Sequence, residues 1–268
     1  MTFQFAQVPG SAASNLYMDG LQCTYVSTTS VSFAAGACRD SSNTFDLVLS
    51  SATTLDLTTN GLNGLDQGAL AASSDYAVYA IYSEQFNNQI NVGGGTSTAY
   101  PTGFIASLNL TGTPLLPAFY NTGGGFLRLV KYLKTNGSSQ IIPFVDSGNH
   151  TERTNTWPTA ISVAPGGLTT GYVLQSFAAG MPPISTTVYL NGTFVPDTAG
   201  DFMTIAPGNT IAAPDYFLVG GATAPATNKF GPSPFLVPLV SSVPSVYIKS
   251  TSASDTTTLL VSAYTVSL

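Results

Sequence analysis

The sequence holds one histidine, His150, so a Ser-His-Asp hydrolase would have to be built around it. Asp146, Ser147 and Glu152 lie close by and are the right types for an orienting acid and a nucleophile. Yet the strained G-x-S-x-G elbow that exposes such a serine is absent, and a triad is a matter of geometry rather than of sequence order. His150 sits in the polar run "NHTERTN" and reads as a surface residue.

Glycoside cleavage needs two carboxyl groups on opposite sides of a sugar. Of the 13 acidic residues only Glu84 and Glu152 are glutamates. The aspartates stand in turn contexts, "RDSSN", "GLDQG", "VPDTAGD" and "APDYF", where a short carboxylate accepts bonds from its own backbone. Residues 40–46, "DSSNTFD", space oxygen donors faintly like a calcium loop, but they lack the glycine at the sharp turn and the closing glutamate. "NVGGGTST" and "NTGGGF" lack the Lys-Ser/Thr pair and the strand-turn-helix setting of a phosphate cradle. Cys23 and Cys38, the only cysteines, flank a hairpin; two free buried thiols are expected rather than a disulfide, and a zinc site would need more ligands. The reading assigns no catalytic residue, no metal ligand and no cofactor.

Composition narrows the partners. Charged residues make up only 7% of the 268, against about 25% in an ordinary domain. Net charge is −6, and the one basic cluster, Arg128, Lys131 and Lys134, is too small to track a phosphate backbone, so nucleic acid is excluded. No apolar run reaches the ~18 residues of a membrane span. Residues 1–20 lack the basic start and apolar centre of a signal peptide, so synthesis in a cytoplasm is expected. Without a secretion signal, the N-x-S/T sequons at Asn109, Asn136, Asn149 and Asn191 read as accidents of composition.

The stretch "NGLNGLDQGAL", residues 60–70, looks like a ligand loop but lacks acid pairs and cation donors. It reads as a corner. Gly61 and Gly64 are expected in left-handed positions, with Gly68 closing the turn. Leu62 and Leu65 would plug the sandwich end, and Asp66 would bind its own backbone neighbours. Arg39 and Asp40 are assigned to a second structural turn.

The elements that carry these turns are strands. "LQCTYVSTTSVSFAAG", "TFDLVLS" and "TTLDLTT" alternate with period two, while "DYAVYAIYSE" is apolar on both parities, as in a central strand. "GFIASLNL" is a further strand, and "FLRLVKYLK" with "QIIPFVDSG" reads as a hairpin about Asn136-Gly137, an amphipathic helix being the alternative for its first limb. "GALAASS" is the only other helical candidate. Eight short apolar runs follow residue 155, separated by Gly/Pro turns. The expected fold is all-β: an extended N-terminal arm (1–20), an antiparallel β-sandwich (21–154) and a second sandwich or jelly-roll-like domain (155–268).

Residues 30–84 resemble a module of tailed-bacteriophage virion structural proteins. The matching residues are Ala34-Ala35-Gly36, Arg39-Asp40-Ser41-Ser42-Asn43, the glycine-rich run from Gly61 to Gly68, and Tyr76-Ala77-Val78-Tyr79. The segment 126–144 is similar to the family's next hairpin, and residues 87–100 fall where its members differ. The resemblance spans about residues 21–150 and brings no catalytic residues. It implies a virion appendage, a tail fibre or head decoration, anchored by its arm to other virion proteins and trimeric. Alternatives are a carbohydrate-binding or adhesin module facing a host-surface glycan through residues such as Tyr100 or Tyr120, and, third, a glycan hydrolase using Glu84 or Glu152.

Overall fold

The computed structural model describes residues 17–83, 102–121, 125–148, 152–178, 180–183, 185–206, 217–220, 227–236, 239–240 and 243–267. In chain order the first half holds β1 (Met18–Gly20), β2 (Cys23–Tyr25), β3 (Ser30–Phe33), β4 (Gly36–Arg39), β5 (Asp46–Leu49) and β6 (Thr53–Asp56). It continues with β7 (Gly64–Leu65), β8 (Asp75–Ser83), β9 (Thr102–Ser107), the one-turn helix α1 (Ala118–Asn121), β10 (Gly125–Lys134) and β11 (Val145–Gly148). The second half holds β12 (Glu152–Gly167), β13 (Val173–Ser176), β14 (Ser185–Val195), β15 (Phe202–Ala206) and β16 (Phe217–Gly220). The last four strands are β17 (Asn228–Leu236), β18 (Leu239–Val240), β19 (Val243–Ser250) and β20 (Thr256–Ser267).

Two kinds of sequence pattern make these strands. In β5, Leu47 and Leu49 are buried while Asp46 and Val48 face out, the signature of one dry face. In β8 and β9 both parities are apolar, and residues 76–81 and 102–107 are buried throughout. Such strands need cover on both faces, and β8 lies inside its sheet, between β10 and β9.

The fold is all-β and sandwich-like, and its pairings are antiparallel except for β7 with β9. The described strands form a three-stranded sheet β1-β4-β5, a four-stranded sheet β10-β8-β9-β7 and an eight-stranded sheet β17-β14-β20-β12-β11-β2-β3-β6. A further sheet runs β13-β19-β15-β16, with β18 also on β19. Aromatic contacts hold layers together: Phe33 of β3 stacks on Phe104 of β9, and Phe45 stacks on Phe126 of β10, each at 4.1 Å between centroids. Offset pairs of this kind add about 0.5–1.5 kcal/mol beyond the area they bury.

Three expectations change. The division at 154/155 falls inside β12, whose first residues pair with β11 and which pairs with β20 from Glu152 to Gly167 with breaks of register after Thr156 and Ser162. The two halves therefore share the eight-stranded sheet, and their buried side chains belong to one hydrophobic cluster. The arm is shorter than 1–20, because β1 pairs with β4 of its own chain and Met18 is fully buried; residues 1–16 lie outside the described set. Finally, "FLRLVKYLK" is a strand, but its partner is β8 over nearly its full length. Of the expected hairpin there remain the bridge Thr135↔Ile141 and the bonds from Ile142 N–H to the Lys134 carbonyl (2.9 Å) and from Asn136 N–H to the Gln140 carbonyl (2.8 Å). Ile141 and Phe144 drop into the core instead, and β11 joins the other sheet. "GALAASS" is turn and coil, and among the described residues the one short helix is α1.

Candidate functional site

Arg39 and Asp40 stand where β4 turns into β5. The Asp40 carboxylate accepts backbone N–H bonds from Ser42 (3.0 Å), Thr44 (2.7 Å) and Phe45 (2.7 Å), and the Ser42 hydroxyl besides. Burial pushes its pKa up, but the bonds from Phe45, Ser42 and Thr44 outweigh that and hold it below the ordinary 3.8. Asn43 supplies the left-handed residue, at φ 58°. Arg39 meets Asp46 across the ladder at 3.0 Å. The faint calcium loop is thus a closed turn whose carboxylate is filled by its own loop.

At the glycine-rich corner the left-handed residues are Gly61 (φ 95°), Asn63 (φ 60°) and Gly68 (φ 79°). Gly64 is not among them. It lies in β7, where a Cβ would come within 2.4 Å of the Thr59 carbonyl oxygen, so closeness rather than φ demands glycine. Leu65 is buried, whereas Leu62 is 39% exposed and leans on Gly103.

Asp66 also differs from expectation. Its Oδ2 accepts the Ser107 hydroxyl (2.6 Å) and the Leu115 N–H (3.3 Å), not its own turn. The parallel register of β7 and β9, Gly64↔Ile105 and Leu65↔Ala106, puts the next residue beside Ser107. Asp66 N–H donates to the Ala106 carbonyl at 2.8 Å, which confirms that alignment.

A shallow cleft of about 320 Å³ opens on Asp66. Its walls include Gln67, Leu108, Asn109 and Leu115, with Leu108 and Leu115 more than half exposed. Beneath it Tyr79 donates to the Gly112 carbonyl (2.9 Å); burial, then the Asp66 charge, push that phenol above its ordinary value. The lining has one carboxylate, two amide side chains and apolar carbon, a set that binds hydroxyls or a cation. It has no histidine and no second carboxylate, so it lacks an acid-base pair.

The basic cluster lies inside the protein. Arg128, Lys131 and Lys134 are all buried along β10. Lys131 Nζ is 2.5 Å from Asp146 Oδ1, and Lys134 Nζ is 3.1 Å from Asp75 Oδ1. Burial outweighs the Lys134 charge and leaves the Asp75 carboxyl above its ordinary pKa. Asp146, the acid nearest His150 in sequence, is taken up by Lys131 and by the Cys23 N–H (3.0 Å). His150, Glu84 and Tyr100 lie outside the described residues, as does segment 87–100. Tyr120 is buried, which pushes its phenol up to about 12 and removes it from any exposed platform.

One grouping was not legible as such. The carboxylates of Asp197, Asp201 and Asp255 bring their oxygens within 4.8 Å of one another. Asp197 and Asp201 read as turn formers in "VPDTAGD", and nothing nearby in sequence points to Asp255. Asp255 accepts the Asp197 N–H (2.8 Å) and the Ser250 hydroxyl; Asp201 accepts the Thr198 N–H (3.2 Å) and the Thr251 hydroxyl (2.8 Å). The three stitch two loops together and fall short of the roughly six to eight oxygens calcium takes. No family profile, curated protein or solved structure matches this chain.

Proposed function

We infer that the chain is a non-enzymatic structural protein of a tailed-bacteriophage virion. It serves as an appendage, a tail fibre or head decoration, assembled as a homotrimer with other virion proteins. The observation that carries this reading is where the charge goes. Only seven Lys/Arg exist, and three of them, Arg128, Lys131 and Lys134, are buried. The chain is only 7% charged, and depletion of charge marks the cores of protein interfaces. Closed symmetric association would cover such a surface. The segment that resembles the phage module supplies turns and strands of the N-terminal half, and the acids described in it are engaged by backbone N–H groups, a hydroxyl or basic side chains.

Purified particles digested and analysed by mass spectrometry should contain this chain in fixed ratio to the major capsid protein. A chain lacking residues 1–16 should fold and fail to incorporate. Its absence from intact particles would overturn the reading, and incorporation of the truncated chain would remove the arm from it.

A second reading is favoured by the cleft at Asp66, whose carboxylate and amides suit sugar hydroxyls. In that case the appendage contacts a host-surface glycan. A glycan-array signal that Asn109→Ala removes would support it, and a blank array would exclude it.

A further inference from the structure

We propose that Lys131 and Asp146 condense to an intramolecular isopeptide bond that locks β10 to β11. Both side chains are 1% exposed, and Nζ lies 2.5 Å from Oδ1. Two opposite charges removed from water are costly, and condensation to an amide removes both at once. The Phe144 ring lies 4.7 Å from Nζ and caps it against solvent. The carbonyl side is prepared as well. Cys23 N–H donates to Oδ2 at 3.0 Å, so charge developing on that oxygen meets a fixed donor. Gln22 Nε2 donates to the Asp146 carbonyl at 3.2 Å and holds the backbone in place.

The step balances without a co-reactant. Nζ attacks Cγ, and the tetrahedral centre places its negative oxygen, Oδ2, on the Cys23 N–H. Oδ1 then leaves as water, carrying two of the three ammonium protons, while the third stays on the amide nitrogen. The Nζ–Cγ bond forms, the Cγ–Oδ1 bond breaks, and neither partner is oxidised or reduced. Lys131 and Asp146 are the reacting residues; Cys23, through its N–H, and Phe144 are positioning residues. Burial serves the reaction by concentrating the two groups and excluding the water that would reverse it.

The location gives the bond a use. β10 belongs to the four-stranded sheet and β11 to the eight-stranded one, so the amide adds a covalent link between two sheets. It also closes a covalent loop that contains the turn at residues 136–140, which the Asn136 N–H bond to the Gln140 carbonyl (2.8 Å) already ties.

Intact-mass spectrometry of the full chain under denaturing conditions tests this without any variant having to fold. The expected mass is one water below that of the sequence. Trypsin should then fail to cut after Lys131 and should release fragment 129–134 joined to fragment 135–153. Lys131→Arg and Asp146→Ala should restore the full mass. A wild-type chain of full mass, or one that has lost water while trypsin still cuts after Lys131, would overturn the proposal.

Discussion

The Asp66 carboxylate and the Ser107 hydroxyl, 41 residues apart in sequence, meet at 2.6 Å. This bond fixes the corner to the end of β9 and forms the floor of the cleft. Asp66→Ala leaves the buried Ser107 hydroxyl without this acceptor, and should cost about 1–3 kcal/mol in urea unfolding. Ser107→Ala should cost clearly less in the Asp66→Ala background than alone. Strict additivity of the two would show that the bond contributes nothing.

The corner glycines should separate by mechanism. Gly64→Ala drives a methyl against the Thr59 carbonyl, which cannot move without breaking β7, and should cost about 2–4 kcal/mol. Gly68 faces open space and asks only for a left-handed φ, so Gly68→Ala should cost about 1 kcal/mol. Thermal melts of the two variants distinguish them; equal losses would contradict the contact argument.

Acid sensitivity should trace to Asp40. Its folded pKa lies below the unfolded 3.8, so its stabilisation is complete above 3.8 and drains as pH falls through the lower folded value. Asp75 acts in the opposite sense: its raised folded pKa means stability is lost as pH rises from 3.8 through that value. Asp40→Asn should therefore flatten the acid limb of melting temperature against pH, and Asp75→Asn should steepen it. Parallel acid limbs in wild type and Asp40→Asn would refute the assignment.

Lys134 and Asp75 offer a test of buried pairing. Lys134→Met strands a carboxylate that is only 15% exposed and should cost about 3 kcal/mol. Adding Asp75→Leu should recover most of that, since a matched apolar pair has no charge to desolvate. A double variant no more stable than the single one would mean that the pair does more than neutralise itself.

Both cysteines should be chemically silent in the folded chain. Cys23 and Cys38 are both buried thiols, and burial pushes the Cys38 thiol up to about 12 despite the nearby Arg128 charge. A chromogenic disulfide reagent at neutral pH should titrate no thiol in native protein and two per chain in denaturant. Rapid reaction of the native chain would show that the sheets open around them.

Periodicity and turn chemistry, read from sequence alone, were enough to define this protein as all-β and to place most of its strands. The reason is that alternation in 46–49 or double-sided apolarity in 76–81 is a local property that the pleat obeys directly. The turn at Asp40 was legible for the same reason: its carboxylate binds neighbours two to five residues away, within reach of any chain that turns there. Only the tertiary structure decided which strands pair. A strand's apolar face does not name its partner, so β10 left the Asn136-Gly137 hairpin for β8, and β12 carried one sheet through the division expected at 154/155. Likewise, sequence gave no sign that the basic cluster would be buried, because the carboxylates that neutralise it, Asp75 and Asp146, arrive on strands 59 and 15 residues away. Asp66 makes the same point, since its type announced a turn, but the parallel register of β7 and β9, which no local rule encodes, gave it Ser107 as a partner.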